Sequence, residues 1–192
     1  EACSGAHYGA RRCLAYGLQP RIMAAQFVKP FRKSSHSKND RNDAEAIATA
    51  ARQGNMRFVP VKTVDQQVRL SWHRVREGYK ADALATSNRL RGLLAEFGVV
   101  VPQSDVALRR AMSDLDALSL PSALAELLLD LDAHWQQLQA RIADADRRIQ
   151  SHAKADDACT RLRAIIGVGP ITADAVVATI GSAQDFKNGR QF

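Results

Sequence analysis

Two aspartates three residues apart, Asp40 and Asp43, open a segment of small residues, "KNDRNDAEAIATAA", that has the composition of a helix. Asn39 is a good N-cap, so Asp40 would be the first helical residue and Asp43 the fourth. Acidic side chains in a first turn complement the helix dipole, which is their commonest role there. Residues three and four apart share one helix face, however, and here that face carries an apolar stripe formed by Ile47, Ala50 and Ala51.

A carboxylate in line with a buried face is costly unless it is paired or binds a cation. The sequence therefore predicts that the aspartate pair faces a pocket rim. Hard divalent cations prefer oxygen ligands, and two nearby carboxylates can share Mg²⁺ or Mn²⁺. Such an ion would support phosphodiester chemistry by activating a water or hydroxyl and neutralising the leaving oxygen.

Basic residues surround the aspartates and fit the approach of a nucleic-acid backbone. The whole chain of 192 residues has 27 Lys and Arg against 20 Asp and Glu, a formal charge of +7. This excess favours polyanionic partners, although charge alone is a weak argument because many other proteins are basic. The basic residues expected to contact nucleic acid near the pair are Lys29, Arg32, Lys33 and Lys38.

The composition predicts a cytoplasmic protein that does not enter a membrane. The chain is 46% hydrophobic and 24% charged, as in ordinary globular proteins. No apolar run approaches the roughly 18 residues of a membrane span. The three cysteines are odd in number and lack C-x-x-C spacing, which is typical of a reducing compartment.

The first part of the chain, residues 1–62, is predicted to be α/β. "HYGARRCLAYG" indicates a short helix that stops at Gly17, and "PRIMAAQ" and "RFVPV" suit short strands. Residues 63–155 are predicted to form long amphipathic helices broken at "GVVVPQSD". Their apolar seams, in steps of three and four, indicate an antiparallel hairpin or a self-association surface. The seam residues are Val68, Trp72, Val75, Tyr79, Ala83, Thr86, Leu90, Leu93 and Phe97, then Leu128, Leu131, Trp135, Leu138, Ile142, Ala145 and Ile149.

Residues 156–192 contain a glycine turn, "IIGVGP", followed by the apolar helix candidate "ITADAVVATI". Two glycines permit a tight turn, and their N–H groups with the next helix N-terminus can hold a phosphate, as in a helix-hairpin-helix. A plain helix–helix turn is the alternative. The nucleic-acid contacts predicted here are Gly167, Val168, Gly169, Arg161, Arg163 and Lys187.

Four segments together, in this order, resemble the insertion-sequence one-ten transposase family: "EACSGAHYGARR", "KNDRNDAEAIA", "MRFVPVK" and "LRAIIGVGPITADAVVATIG". The resemblance covers essentially the whole chain. It implies a DEDD-type recombinase whose N-terminal domain has the RuvC-like, RNase H fold, here a partial one followed by mainly α structure. It also implies that Glu1, Asp40 and Asp43 are three of the four catalytic acids and bind the metal ion.

The resemblance implies truncation at both ends. The first aspartate of the acid set would lie before Glu1, and the serine of the family's C-terminal domain would lie beyond Phe192. We therefore expect this chain alone not to recombine DNA, whereas the intact protein would cleave and join it. The family implies DNA and a structured guide RNA as partners, assembly into a homo-oligomer, and a bacterial, nucleoid-associated location. Two other hypotheses remain: a non-catalytic module that binds nucleic acid and oligomerises, and a helical scaffold for acidic proteins.

Overall fold

The protein is described by a computed structural model over residues 4–32, 39–181, 184 and 188–190. The chain divides into two compact units, an N-terminal unit, Glu1–Val64, and a C-terminal unit, Asp65–Phe192. Helices predominate, and the described residues contain a single two-stranded sheet. None of the described helices has the length and apolar character that crossing a membrane requires.

The described residues of the N-terminal unit form three helices, a 3₁₀ turn and two strands. Helix α1 ends as predicted before Gly17, whose φ of 74° is the left-handed conformation that a helix-ending glycine supplies. Strand β1 is shorter than predicted because Ala24 bends the chain from extended structure into α2. The elements are α1 (Ala6–Ala15), β1 (Ile22–Met23), α2 (Ala25–Val28), the 3₁₀ turn (Lys29–Phe31), α3 (Asp40–Ala51) and β2 (Phe58–Val59).

The strands of this unit pair in antiparallel register, with Met23 opposite Phe58. A small core covers one side of the ribbon, and its buried members are Met23, Val28, Ala46 and Ala50. Two of these belong to α3, so this packing sets which face of α3 turns away from solvent.

Helices are the only regular secondary structure among the described residues of the C-terminal unit. Two helices of 33 residues, α4 and α6, are connected through a short helix and a 3₁₀ turn. Two shorter helices follow α6 and complete the unit. The bounds are α4 (Val64–Glu96), α5 (Asp105–Ser113), the 3₁₀ turn (Leu115–Leu118), α6 (Ser122–Lys154), α7 (Asp157–Arg163) and α8 (Pro170–Ile180).

The long helices pack against each other within the chain as an antiparallel hairpin, which confirms the hairpin that their apolar seams predicted. The guanidinium of Arg148 lies over the ring of Trp72, at 4.8 Å from its centroid, while Arg141 lies over Tyr79 at 5.6 Å. Residues later in α6 thus contact residues earlier in α4, so the two helices run antiparallel. The shared core includes Leu90, Leu94, Leu108, Leu128, Trp135 and Leu138.

The predicted seam of α6 is confirmed, because all seven of its residues are buried or half-buried. The seam of α4 is confirmed from Tyr79 to Leu93 but is wrong at three positions outside that stretch. Val68, Val75 and Phe97 are 49%, 43% and 49% exposed. In the first half, Arg69 is buried instead of Val68, because charged partners from later in the chain meet that side of the helix.

Candidate functional site

The aspartate pair lies at the start of α3, as predicted. Asn39 caps the helix: its side-chain oxygen accepts a hydrogen bond from the backbone N–H of Asn42 at 2.8 Å. Asp40 is then the first helical residue and Asp43 follows one turn later. Both carboxylates lie where the helix dipole favours negative charge.

The two aspartates differ in their surroundings. Asp43 is half-buried and forms an ion pair with Arg32, whose Nε lies 3.1 Å from the Asp43 carboxylate. Asp40 is exposed. The apolar stripe that continues from Asp43 is formed by Ala46, Ile47 and Ala50, and the prediction that it included Ala51 is wrong. Ala51 is exposed because the face of α3 that packs on the core runs through Ala46 and Ala50 and does not extend to Ala51.

The remaining predicted contacts near this pair are described only in part. Lys29 is exposed in the 3₁₀ turn, and Arg32 is occupied by Asp43. Glu1, Lys33 and Lys38 lie outside the described residues. Over the described ranges, no group of three His, Cys, Asp or Glu side chains is arranged to hold a metal ion.

The glycine turn between α7 and α8 has the geometry of a tight, solvent-facing connection. Gly167 has a φ of +89°, which only glycine adopts without strain, and it is exposed. Gly169 has extended geometry and is the N-cap of α8, where it offers no capping side chain. Pro170 occupies the first helical position, as predicted.

Helix α8 therefore begins with unsatisfied backbone N–H groups and no acidic residue in its first turn. Arg161 and Arg163, in the last turn of α7, are exposed beside it. Val168 is half-buried, and its side chain packs with Ala153, Cys159 and Ala173. Only the backbone of Val168 is thus placed to face a ligand. Lys187 lies outside the described residues.

A buried ion network fixes α8 against α4. Asp174 of α8 is fully buried and accepts hydrogen bonds from Arg69 Nε at 2.9 Å and Nη2 at 2.5 Å. Its other oxygen lies 2.8 Å from His73 Nε2, which donates to it. Two N–H groups of one guanidinium thus converge on a single carboxylate oxygen, which restricts the orientation of the guanidinium.

The same arginine also fixes the start of α7. Arg69 Nη1 donates to Asp156 Oδ2 at 2.7 Å. The second oxygen of Asp156 accepts the backbone N–H groups of Ala158 and Cys159 and so caps α7. One guanidinium thereby joins the two helices that flank the glycine turn.

The pKa values of three groups in and beside this network, Arg69, Asp156 and Cys159, are shifted. Burial opposes the charged form of Arg69, but hydrogen bonds to Asp156 and Asp174 prevail and raise the pKa of Arg69 above its ordinary value. Burial likewise opposes ionisation of Asp156, yet the hydrogen bond from Arg69 and the two backbone N–H groups leave its pKa below the ordinary value. Burial raises the pKa of the Cys159 thiol.

Sequence reasoning missed this network. Its one visible signal was Asp174, a charged residue inside the otherwise apolar run "ITADAVVATI". A buried carboxylate requires a partner, but nothing in the spacing pointed to Arg69, which lies 105 positions earlier.

Comparison with known proteins decides the family. A DEDD transposase model of the IS110 type, described as a transposase, matches residues 4–99, which include the aspartate pair. The chain belongs to the IS110 transposase family. A second model, described as transposase of the IS116/IS110/IS902 family, matches residues 159–192, where the glycine turn lies.

Curated transposases align over the whole chain. A probable family 20 transposase of Pseudomonas aeruginosa is 43% identical over 196 residues, covering 100% of this chain and 57% of that protein. The transposase for insertion sequence element IS1328 of Yersinia enterocolitica is 34% identical over 192 residues, with the same coverage. The chain thus spans a little over half the length of these relatives. No solved structure matches it significantly.

Proposed function

We propose that this chain is a nucleic-acid-binding part of a DNA transposase whose intact form breaks and joins DNA with a divalent metal ion. Membership of the transposase family supports the DNA partner. The observation that carries the proposal for this chain is the exposed glycine turn, held between two helices by a buried arginine.

The turn is suited to a phosphate group. The N–H groups at the start of α8 point along the helix axis, and the helix dipole adds positive potential there. Arg161 and Arg163 supply charge that neutralises a backbone and releases counterions. Contacts of this kind position a duplex or a structured guide RNA without reading its sequence. In this proposal α7, the turn and α8 form a helix-hairpin-helix.

The aspartate pair is the proposed metal site of the intact protein, within a RuvC-like domain. Glu1, Asp40 and Asp43 would supply three carboxylates to Mg²⁺ or Mn²⁺. When bound, the metal activates the attacking oxygen and stabilises the leaving one. The described pair offers two carboxylates, one of them neutralised by Arg32. Arg32 therefore competes with the metal for Asp43 and would have to move aside when the ion binds.

The phosphate contact is tested by replacing each glycine of the turn with alanine. A Cβ on Gly169 would meet no atom within 4 Å and its backbone is extended, so Gly169→Ala should fold normally. The added methyl group would nevertheless stand where a phosphate approaches. We expect duplex DNA binding, measured by fluorescence anisotropy at fixed salt, to weaken by about tenfold, the equivalent of about 1.4 kcal/mol.

Gly92→Ala is the matched control, because Gly92 is exposed in α4 and also has open space around its Cβ position. It should leave DNA affinity unchanged. Gly167→Ala would combine a backbone strain at φ +89° with the same steric block and is therefore less informative. Equal affinity of the Gly169→Ala and Gly92→Ala proteins, with both folded, would leave a plain helix–helix turn as the explanation.

The metal proposal is tested by following free Mn²⁺ through its electron paramagnetic resonance signal. Arg32→Ala should tighten Mn²⁺ binding, and Asp43→Asn should abolish it. Asp82→Asn, an exposed change in α4, is the control. If the unmodified protein and all three variants bind Mn²⁺ with equal affinity, the aspartates take no part in metal binding. The non-catalytic, oligomerising nucleic-acid module then becomes the better proposal.

A further inference from the structure

The outer face of helix α1 carries two tyrosines, where the solvated face of a helix usually carries charged and polar side chains. Tyr8 and Arg12 each lie two positions from Ala10, the buried residue of α1. Two positions correspond to about 200° around a helix, so both side chains lie almost opposite the packed face. Tyr16, the C-cap residue, follows four positions after Arg12. Tyr8, Arg12 and Tyr16 are named here the tyrosine row.

Both rings of the tyrosine row are open to solvent. Tyr8 is 63% exposed and Tyr16 is 72% exposed. Gly5, three positions before Tyr8, has no side chain that could cover the first ring, and a Cβ added there would meet no atom within 4 Å. Aromatic rings exposed in a row are more informative than a single exposed apolar side chain, because together they offer a surface to a partner.

Arg12 stands between the two rings and contacts one of them. Its Nη2 donates a hydrogen bond to the Tyr16 hydroxyl at 2.9 Å, and its guanidinium lies 5.3 Å from the centroid of the Tyr16 ring. In the described part of the chain, no carboxylate pairs with Arg12. A guanidinium has five N–H donors, so Arg12 retains donors that can hold a phosphate beside an aromatic face.

The sequence around α1 is strongly basic. Residues 2–39 contain seven Lys and Arg and no Asp or Glu. Their net charge equals the formal charge of the whole chain, +7, because the other residues contain 20 Lys and Arg and 20 Asp and Glu. The partner with complementary charge is therefore a polyanion.

Aromatic rings within a basic surface match one class of polyanion. Proteins hold single-stranded nucleic acid by stacking its bases on aromatic side chains while cationic groups follow the backbone. In a duplex the neighbouring base pairs cover the faces of each base, so an unpaired strand is the form that offers these faces to tyrosine.

We propose that the tyrosine row binds an unpaired strand of nucleic acid, with bases stacked on Tyr8 and Tyr16 and a phosphate held by Arg12. The two tyrosines are about 12 Å apart along the helix axis, at 1.5 Å per residue. With about 3.4 Å per nucleotide of a stacked strand, about three to four nucleotides span the row. This proposal rests on the proposed nucleic-acid function, but it uses residues other than the glycine turn and assigns them an unpaired strand.

The test is fluorescence anisotropy of the full chain with a labelled thymidine hexanucleotide, which is long enough to span the row. Tyr8→Leu and Tyr16→Leu keep apolar bulk and helix propensity but remove the aromatic faces. Each should weaken binding by at least about fivefold. Tyr8→Phe keeps a ring and should retain the affinity of the unmodified chain. Leu14→Ala is the matched control, because Leu14 is an exposed apolar residue of the same helix without an aromatic face, and it should leave the affinity unchanged.

An abasic hexamer with the same phosphates separates base stacking from charge. It should bind more weakly than the thymidine hexamer, and its affinity should fall in Arg12→Ala but not in Tyr8→Leu. A uridine hexamer offers similar base faces on a ribose backbone. A preference for either the uridine or the thymidine hexamer supports the proposal and identifies the strand as RNA or DNA.

The proposal is overturned if Tyr8→Leu, Tyr16→Leu and the unmodified chain, all folded by circular dichroism, bind the thymidine hexamer equally. Equal affinity for the abasic hexamer would overturn it too, and so would displacement of the thymidine hexamer by polyglutamate at equal charge concentration, which would assign the row to an acidic protein. Duplex binding that depends on Gly169 would in each case leave the glycine turn in place. Conversely, if the tyrosines are required for the hexamer while Gly169→Ala leaves duplex affinity unchanged, the tyrosine row stands and the glycine turn does not.

Discussion

The buried arginine provides the sharpest test of how this fold is held together. Replacing Arg69 with methionine keeps most of the side chain's volume and removes its charge. The substitution leaves Asp174, which is fully buried, without its main partner, and it leaves Asp156 with only its backbone hydrogen bonds. Methionine cannot compensate either carboxylate, so the native state alone is penalised.

The magnitude follows from burial. Removing one partner of a buried ion pair costs about 3–5 kcal/mol, because the remaining charge stays desolvated. With an m-value of about 2 kcal/mol per molar urea, the unfolding midpoint should fall by about 1.5–2.5 M. Substituting Asp174 with leucine in the same protein should recover part of this loss, because a well-packed apolar pair replaces a lone charge.

The assay is urea unfolding of the full chain followed by tryptophan fluorescence. Both tryptophans, Trp72 and Trp135, lie in the C-terminal unit, so the signal reports that unit and not the other. Arg74→Met is the matched control, because Arg74 lies on the same helix and is exposed; such surface changes stay within about 0.5 kcal/mol. Equal midpoints for the Arg69→Met and Arg74→Met proteins would refute the reasoning.

Three further predictions concern single side chains. The pKa of Asp156 lies below its ordinary value of 3.8. Its contribution to the free energy of unfolding is therefore complete above that value and is lost as the pH falls through the pKa of the folded state. Asp156→Asn should make the free energy of unfolding, measured by urea denaturation, depend less on pH in this acidic range. Cys159 is fully buried with a raised pKa, so Ellman's reagent should label it more slowly than Cys13 until urea unfolds the C-terminal unit, and equal native rates would contradict its burial. Asn39→Ala removes the cap of α3 and should cost the N-terminal unit about 1 kcal/mol, measured by circular dichroism, whereas Asn39→Ser should restore most of it.

Local patterns predicted the helices well because they depend on near neighbours. The seam of α6 follows the helical period without interruption, and each of its residues is buried or half-buried. The cap at Asn39, the stop at Gly17 and the start at Pro170 are equally local chemistry. These signals determine where an element begins and ends.

Long-range pairing was not predictable in the same way. The α4 seam was predicted to include Val68, yet Arg69 is buried instead, because it pairs with Asp156 and Asp174. These partners lie 87 and 105 positions later in the chain. The partner of Asp43 could equally not be inferred, because nothing in the spacing indicated that Arg32 would pair with this aspartate. The predicted contact of Arg32 with nucleic acid stays a prediction. A single sequence shows charges but not their mutual distances.

The length of helix α6 fixes the distance between the middle of the long hairpin and the start of α7. At 1.5 Å per residue, the stretch from Asp132 to Lys154 extends about 33 Å. At the ionic strength of the cell, the electrostatic potential of an exposed charge is screened over about 8 Å. Charges at the two ends of this stretch would therefore not sense each other through solvent. Any communication between them must pass mechanically, as a shift or rotation of one rigid helical rod.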